Sequence, residues 1–381
     1  MRLPEDVIES FESHFDRKPE ILVCAPGRVN LIGEHTDYNE GFVLPMAIDR
    51  AIWMAISPRP DRRVQVLSAD YADESGFDLD DIRRGQGWPE YLKGMAQMLQ
   101  THGLAVSGFD AVMGGDIPRG AGLSSSAAVE MAAARAFVAV SGLEWDPVRV
   151  AKIGQEVENK WIGVSSGIMD QMVIAAARPG HALFLDCRTL EMQYVPLPSG
   201  VSVLVMDTAT RRGLIGSAYN ERRAQCESAA RFFGVHSLRD VSMADFEQRG
   251  AGLQGAPHKR AKHIVSENER VLAALDMMRS GESAALGILL NQSHISLRDD
   301  FEVSSPALNQ MVECAWDLAG CLGARMTGAG FGGCAVALVE TKLAQSFSTQ
   351  VAECYRRIAG LEPMIYLCQA SGGADAVKLP G

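Results

Sequence analysis

Short apolar runs alternate with stretches of helical periodicity along the first half of the chain, and this pattern predicts a mixture of strands and helices. Helices are predicted over Ser126–Val140 and Pro147–Asn159. The strand-like runs are Ile21–Cys24, Ala51–Ile56, Val64–Leu67, Gly108–Met113 and Ala182–Leu185. We find no repeat or low-complexity tract, so the pattern indicates an α+β fold.

A second block of elements begins near Gly200. Its predicted helices are Ser217–Phe233, Lys262–Met278 and Pro306–Leu318, and its predicted strands are Val201–Met206, Cys334–Val339 and Met364–Cys368. Arg239–Pro257, rich in Gly, Gln and charge, is predicted to be a surface connection. At 381 residues the chain exceeds the size of one growing core, so two domains with a cleft between them are expected. Prolines and a glycine at 196–200 place the predicted boundary between residues 1–195 and 196–381.

The densest polar segment lies between two apolar runs, Ile21–Val23 and Phe42–Leu44. From Ala25 to Asn39 the sequence holds an arginine, two acidic residues and a histidine, with Pro and Gly typical of an ordered loop. A polar loop between two core strands predicts a site for a polar ligand. Considered alone, the segment fits a hydrogen-bonded surface loop better.

A glycine- and serine-rich turn leads from a predicted strand into an alanine-rich helix. Gly120 and Gly122 let the backbone approach a ligand, and the serines at positions 124–126 stand at the helix start, where amide donors and the helix dipole favour anions. This pattern predicts a polyphosphate site, with a serine-rich helix cap as the alternative. It is not a Walker loop, because the sequence lacks Gly-x-x-x-x-Gly-Lys-Ser/Thr.

A second glycine cluster, Met326–Cys334, matches Gly-x-Gly-x-x-Gly in form. A dinucleotide-binding fold requires a helix after this motif, whereas Cys334–Val339 continues as an apolar strand. The Rossmann interpretation is therefore rejected. A glycine loop packed against the other domain and a tight hairpin both remain open.

Two carboxylates are candidates for acid, base or metal chemistry. Asp170 stands among apolar neighbours, and Glu158 lies twelve residues upstream near the end of the preceding helix. Asp170 is placed to accept a proton from a hydroxyl, and Glu158 with a serine hydroxyl offers oxygen ligands for Mg²⁺. An ordinary salt bridge or helix cap is the alternative for each.

Of the eight histidines, His35 alone stands among several other polar residues. The histidines do not have the spacing of metal ligands, and the sequence lacks the Gly-x-Ser-x-Gly motif of Ser/His/Asp hydrolases.

Composition and charge argue against several classes of protein. The formal charge of −11 argues against a nucleic-acid surface, and basic residues are scattered except for pairs such as Arg211–Arg212 and Arg222–Arg223. The eight cysteines form no Cys-x-x-Cys pair and are expected to be reduced core thiols. The acidic N-terminal segment and the lack of an apolar run of about 18 residues predict a cytoplasmic protein without a membrane span.

In this order, three segments resemble the GHMP kinase superfamily, and the first resembles the galactokinase family. They are the sugar-binding loop Gly27–Asn39, the phosphate motif Pro118–Ala128 and the third motif Arg325–Cys334. Other stretches that resemble galactokinases are Glu158–Asn159, Gly167–Gln171, Gly180–Leu183, Tyr219–Arg223 and Ser293–Asp300. The resemblance covers nearly the whole chain. It implies a two-domain GHMP kinase fold with mixed β-sheets, helices and an active-site cleft between the domains.

The resemblance also implies a role for each matching residue. Arg28 and Asp170 stand at the reacting hydroxyl, and Ser126 and Glu158 hold Mg²⁺. The sugar-binding positions are Glu34, His35, Thr36, Asp37, Gly167, Asp170 and Tyr219. The ATP-binding positions are Trp88, Pro118, Gly120, Ala121, Gly122, Leu123, Ser124, Ser125 and Ser126, with Tyr91 beside Trp88 near the adenine.

By this resemblance the chain phosphorylates the anomeric hydroxyl of galactose with ATP, the first committed step of galactose catabolism. A related sugar-1-kinase for arabinose or galacturonate and a catalytically silent galactose and ATP sensor are the alternatives. The expected partners are a sugar and ATP, without nucleic acid or membrane, in a monomer or weak homo-oligomer. Two departures stand out: Ser166 where many relatives have cysteine, and Asp207–Thr210 where Asn-Ser or Asn-Thr is usual.

Overall fold

The computed structural model describes residues 4–118, 120–211 and 215–380, so Arg119 of the phosphate motif and Arg212 lie outside the described residues. Its helices are α1 (Pro4–Phe15), α2 (Pro89–Thr101), α3 (Ser125–Val140), α4 (Pro147–Glu156), α5 (Met169–Ala176), α6 (Ile215–Phe233), α7 (Met243–Arg249), α8 (Ala256–Ser280), α9 (Ser283–Asp299), α10 (Pro306–Trp316) and α11 (Ala344–Ala359). Its strands are β1 (Ile21–Asn30), β2 (Phe42–Val43), β3 (Pro45–Pro58), β4 (Arg63–Ser68), β5 (Asp73–Asp78), β6 (Phe109–Gly115), β7 (His181–Asp186), β8 (Met192–Pro196), β9 (Val201–Asp207), β10 (Cys321–Met326), β11 (Cys334–Glu340), β12 (Met364–Cys368) and β13 (Asp375–Lys378).

Three sheets organise these elements, and the predicted α+β class with mixed sheets is confirmed. The largest has the strand order β13-β1-β3-β6-β4-β5, the second β10-β11-β9-β12, and the smallest β2-β7-β8. Within the described residues, the pairing of β4 with β6 is parallel and the other strand pairs are antiparallel.

The second sheet lies between two hydrophobic cores. Along β9, Val203 and Val205 belong to the core of the N-terminal block, whereas Leu204 and Met206 belong to a core formed with helices of the C-terminal block. Side chains of a strand alternate between its faces, so a run that is apolar at every position fits burial on both sides. This continuous packing fixes the second sheet against the N-terminal block.

The last strand of the chain returns to the first sheet. β13 pairs antiparallel with β1, with Ile21 opposite Lys378. The division into residues 1–195 and 196–381 stays a prediction. The structure shows in addition that β13, from the C-terminal block, is part of the first sheet, whose other strands belong to the N-terminal block.

The polar segment from Ala25 to Asn39 is less of a loop than predicted. Strand β1 continues through it as far as Asn30, with a shift in register between Pro26 and Arg28 in its pairing with β3. Bulges of this kind let a proline sit in a strand and redirect the next side chains. The prediction of a loop over residues 25–30 was therefore wrong.

The structure corrects two further predictions. Arg239–Pro257 is not a plain connection, because it contains α7, which begins with a capping box between Ser242 and Asp245. Cys314 on α10 and Cys354 on α11 form a disulfide with Cα atoms 5.9 Å apart, so the expectation that every cysteine is reduced was wrong for this pair. The two cysteines are 40 residues apart in sequence, and the packing of α10 on α11 brings them together.

No helix in the described ranges combines the length and apolar character that crossing a membrane requires.

Candidate active site

A cavity of about 390 Å³ brings the three predicted motifs together. Its wall includes most of the predicted site residues: Arg28, Glu34, His35, Asp37, Gly120, Gly122, Ser124, Ser125, Ser126, Glu158, Gly167, Asp170 and Tyr219. The other predicted site residues, Thr36, Trp88, Pro118, Ala121 and Leu123, are not on this wall. The cavity therefore joins the sugar loop, the serine-lined start of α3 and the carboxylate on α5.

Arg28 and Asp170 form a bidentate ion pair at the centre of the cavity. Arg28 Nε lies 2.6 Å from Asp170 Oδ1 and Nη2 lies 2.7 Å from Oδ2. Arg28 Nη1 donates a third hydrogen bond, 2.7 Å long, to the carbonyl of Gly122 in the phosphate motif. A bidentate pair of planar groups fixes the orientation of both side chains, so the Asp170 carboxyl group is held beside the start of α3.

The phosphate motif is locked to the same pair. Ser124 adopts a left-handed backbone, with φ of 58°, and its hydroxyl donates to Asp170 Oδ2. The helix then begins at Ser125, which leaves the amides of its first turn available to an anion. Gly120 and Gly122 also have positive φ, at 68° and 84°, a conformation that glycine adopts without strain.

Glu34 is held by the third motif. Its Oε1 accepts hydrogen bonds from the Gly328 amide at 2.6 Å and from the Thr327 hydroxyl at 3.1 Å. Arg325 Nη2 lies 3.4 Å from the same oxygen, and both charged side chains are buried. The glycine cluster connects the antiparallel strands β10 and β11, and it also supports the sugar loop. The interpretations as a hairpin connection and as a packed glycine loop were therefore both partly right.

His35 lies in an aromatic setting. Its ring centroid is 4.6 Å from that of Phe301 and 5.6 Å from that of Tyr219, and its Nδ1 is 3.0 Å from the Tyr38 hydroxyl. Burial, with a smaller effect of the nearby His263, lowers the pKa of His35 well below its usual value. Because Nδ1 contacts Tyr38, Nε2 is the ring nitrogen that remains for a ligand hydroxyl.

Asp37 faces Asp170 across the sugar side of the cavity. Burial, followed by the charge of Asp170, raises the pKa of Asp37 to about 7. Its carboxylate occupies the space in front of Gly167, where a Cβ would lie only 1.9 Å from Asp37 Oδ2. Glycine at position 167 is therefore required for this carboxylate to reach the cavity.

Ser126 and Glu158 form the other end of the site. Glu158 stands in the wide helical turn Val157–Ile162 that follows α4, and it accepts a hydrogen bond from the Ser166 hydroxyl. Burial and the charge of Asp170 raise the pKa of Glu158, so a cation bound there would relieve both effects. Nowhere in the described ranges do three or more His, Cys, Asp or Glu side chains form a complete ion cage. A hydroxyl and one carboxylate fit Mg²⁺, which completes its shell with waters and phosphate oxygens.

The predicted residues that are not on the wall have other contacts. Trp88, which immediately precedes α2, donates from Nε1 to Asp73 at 3.0 Å, whereas Tyr91, in the first turn of α2, lines the cavity. The Thr36 hydroxyl contacts the carbonyls of Gly33 and Phe42, at 2.8 and 2.7 Å. The Leu123 carbonyl accepts from the Arg28 amide at 3.2 Å, so Leu123 supports the site through its backbone.

Sequence reasoning missed Arg211 as a site residue. Arg211 lines the cavity, and a Cβ on Gly120 would lie 3.2 Å from its Cδ. Its guanidinium is held by the buried Asp207, with distances of 2.8 and 3.0 Å to the two carboxylate oxygens. The arginine pair and the unusual Asp207 were visible in the sequence, but nothing in it placed them over Gly120. Ser166, Gly328 and Ala329 are further wall residues without a predicted role.

Family models match three parts of the chain. A galactokinase galactose-binding signature matches residues 9–58, a GHMP kinase N-terminal domain residues 90–178, and a GHMP kinase C-terminal domain residues 272–357. These ranges include the sugar loop, the phosphate motif with Asp170, and the third motif.

Whole-chain comparisons agree with these models. A galactokinase of Roseiflexus sp. (strain RS-1) is 45% identical over 375 residues, which are 97% of this chain and 96% of that protein. The crystal structure of Lactococcus lactis galactokinase in complex with galactose superposes with a TM-score of 0.93 at 36% identity, covering 97% of this chain and 98% of that one. Methanococcus jannaschii mevalonate kinase shares the fold alone, with a TM-score of 0.65 at 19% identity over 93% of this chain and all of that one. On sequence, fold and site geometry together, the chain belongs to the galactokinase family of sugar kinases, within the GHMP kinase superfamily.

Proposed function

We propose that this chain transfers the γ-phosphoryl group of ATP to the C1 hydroxyl of galactose, giving galactose 1-phosphate and ADP. The observation that carries the proposal is the Arg28–Asp170 pair, which faces one cavity together with the sugar loop and the serine-lined start of α3. The C1 oxygen forms a bond to the γ-phosphorus, the bond from that phosphorus to the β,γ-bridging oxygen breaks, and Asp170 accepts the hydroxyl proton.

Asp170 acts as the general base, and Arg28 orients it through two hydrogen bonds. Because phosphoryl transfer has a loose transition state, the attacking oxygen needs little activation, and alignment with charge stabilisation supplies most of the acceleration. Proton transfer to a placed base contributes roughly 10²- to 10⁴-fold. Arg28 lies close enough to the start of α3 to stabilise the transferring group as well.

The sugar is recognised by Glu34, His35, Asp37 and Tyr219, with Gly167 giving room to Asp37. The neutral ring of His35 and the carboxyl of Asp37, with its pKa raised to about 7, offer donors and acceptors to adjacent hydroxyls. A site that pairs with a given hydroxyl rejects an epimer by leaving buried polar groups unpaired, an effect that reaches about 10⁴-fold. Discrimination of the axial 4-hydroxyl of galactose follows from this arrangement.

The ATP phosphates lie against Gly120, Gly122 and the first amides of α3, and Arg211 supplies a cation there. Of the two aromatic residues assigned to the adenine, Tyr91 lines the cavity, whereas Trp88 is not on its wall. Ser126 and Glu158 would hold Mg²⁺, which would supply neutralisation of the phosphate charge. Thr36, Pro118, Ala121 and Leu123 belong to the same two loops, although they are not on the cavity wall.

A sugar panel tests the proposal. ADP release is measured with galactose, glucose, arabinose, galacturonate and N-acetylgalactosamine, using the wild type and Asp170→Asn. We expect release with galactose and its loss in Asp170→Asn, while galactose binding by calorimetry is retained. Preference for arabinose or galacturonate would assign the chain to a related sugar-1-kinase. Binding of galactose and ATP without ADP release would indicate a silent sensor.

We further propose that the chain acts at the entry of galactose into catabolism, in the cytoplasm, as a monomer or weak homo-oligomer. The acidic charge of −11 supports small-molecule partners over nucleic acid.

A further inference from the structure

One face of α8, which the proposed chemistry does not use, packs against the sugar loop. Four buried residues form this face, each three or four positions from another: His263, Glu267, Asn268 and Val271. Residues at this spacing lie on the same side of a helix. Three of the four are polar, and a buried polar group is unfavourable unless it is paired. The partners of these three residues therefore show what the face does.

Two polar residues of this face hold adjacent backbone groups of the sugar loop. Glu267 Oε1 accepts a 3.0 Å hydrogen bond from the Gly33 amide. His263 Nε2 lies 3.1 Å from the Glu34 carbonyl oxygen, which can only accept, so Nε2 carries the hydrogen of that bond. Burial lowers the pKa of His263 to about 4, so at neutral pH the ring is neutral, and its Nδ1, 2.9 Å from the Ser296 hydroxyl, is the acceptor. Both ring nitrogens are thus engaged, and the ring is held in one orientation.

The same face holds the backbone directly after the sugar loop. Asn268 Oδ1 accepts a 3.0 Å hydrogen bond from the Phe42 amide. A Cβ at Gly41 would lie only 2.3 Å from this Oδ1 atom. Likewise, a Cβ at Gly33 would lie 2.9 Å from Val271 Cγ2. The two glycines therefore allow the side chains of α8 to contact the backbone of this segment directly.

The backbone that α8 holds carries side chains that face the sugar. Glu34 and the next residue, His35, both line the cavity. Phe301 adds a second contact, because its ring centroid lies 4.6 Å from that of His35 and 4.6 Å from that of His263. A shift of the Glu34 carbonyl would therefore move two groups of the sugar side together.

We propose that His263, Glu267 and Asn268 are positioning residues for galactose, which fix the backbone of the sugar loop and thereby place Glu34 and His35 in the cavity. The inference rests on the proposed function, since it concerns recognition of the same sugar. The three residues are not on the cavity wall, so they act through the loop. None of the proposed ATP-binding residues belongs to α8, and the effect is therefore confined to the sugar.

Galactose affinity, measured by calorimetry without nucleotide, tests the proposal independently of turnover. We expect His263→Met to weaken galactose binding about tenfold, because the buried Glu34 carbonyl loses its donor and the loop shifts. His263→Gln should restore most of the affinity, since the glutamine side chain has the length of methionine and its amide can donate to the same carbonyl. In steady-state assays His263→Met should raise KM for galactose and leave KM for ATP unchanged.

Controls separate this role from folding and from the proposed function. Ile264→Val, at the next position of α8, removes buried volume from the C-terminal core and should lower stability without changing galactose affinity. Wild-type affinity in His263→Met would overturn the positioning role, and so would equal losses in His263→Met and His263→Gln. If His263→Met does not fold, Asn268→Leu should weaken galactose binding from the other end of the face, and wild-type affinity there would equally contradict the role. Absence of galactose binding by the wild type would instead refute the proposed function, and the positioning role with it.

Discussion

The backbone amide of Gly328, in the connection between β10 and β11, donates a 2.6 Å hydrogen bond to the carboxylate of Glu34 in the sugar loop. The bond joins the C-terminal block to the N-terminal one at the wall of the cavity. Arg325, which is fully buried, donates from Nη1 to the carbonyls of Asn30 and Leu31 at 2.9 Å each. The shape of the sugar loop therefore depends on residues about 300 positions away in sequence.

Arg325→Leu is expected to lower the free energy of unfolding by about 3–5 kcal/mol, because it leaves the buried Glu34 carboxylate without its cation. Denaturant unfolding of the variant measures this loss. Arg83→Leu, which removes an exposed arginine paired with Asp81, serves as control and should have little effect. Equal stability of both variants would show that the buried pair does not stabilise the loop.

The raised pKa of Asp37 predicts a pH-dependent contribution to stability. Between the usual aspartate pKa and about 7, the folded state keeps a proton on Asp37 that the unfolded state has lost. The contribution of this group is therefore full at low pH and declines as pH rises towards 7. Asp37→Asn should be more stable relative to wild type at pH near 8 than at pH near 4. Denaturant melts at both pH values test the sign, and a pH-independent difference would contradict it.

Gly167→Ala should raise KM for galactose strongly, since the new methyl group would lie 1.9 Å from Asp37 Oδ2 and displace that carboxylate. KM for ATP should change far less. Gly372→Ala is a matched control, because its new methyl group would meet only Pro179, at 3.7 Å. Parallel increases in both KM values for Gly167→Ala would indicate general distortion in place of a sugar-side effect.

Arg211→Met should raise KM for ATP about tenfold, the effect of ~1.4 kcal/mol, because it removes a cation from the wall beside Gly120. Arg211→Lys should raise KM for ATP less than Arg211→Met does, because it keeps the positive charge but loses the paired contact with Asp207. Initial rates at varied ATP and saturating galactose give the values. An increase confined to the KM for galactose would place Arg211 on the sugar side.

Local patterns predicted those parts of the fold and site whose cause is local. Met364–Cys368 was predicted with its observed bounds, and α3 begins within one residue of its predicted start. Burial on both faces gives β9 and β11 continuous apolar runs that mark them as strands. Residue type made the serine-rich helix start and the isolated Asp170 candidates, and the resemblance to GHMP kinases gave them their roles.

Contacts between distant segments could not be predicted in this way. The pairing of Cys314 with Cys354 depends on how α10 meets α11, and the position of Arg211 depends on where the end of β9 meets the phosphate motif. The family resemblance placed Trp88 near the adenine, and the structure shows that its indole donates a hydrogen bond to Asp73, a contact that the sequence did not indicate. Side-chain direction at a helix start follows from tertiary packing, which the residue type does not specify.

The pairing of β13 with β1 has a consequence for synthesis on the ribosome. β1 is synthesised long before its neighbour on one side, which consists of residues 375–378. During translation the N-terminal block therefore waits with one edge of its largest sheet unpaired, and exposed backbone donors and acceptors of this kind invite association with other nascent chains. The first sheet is therefore complete only after residues 375–378 have been synthesised.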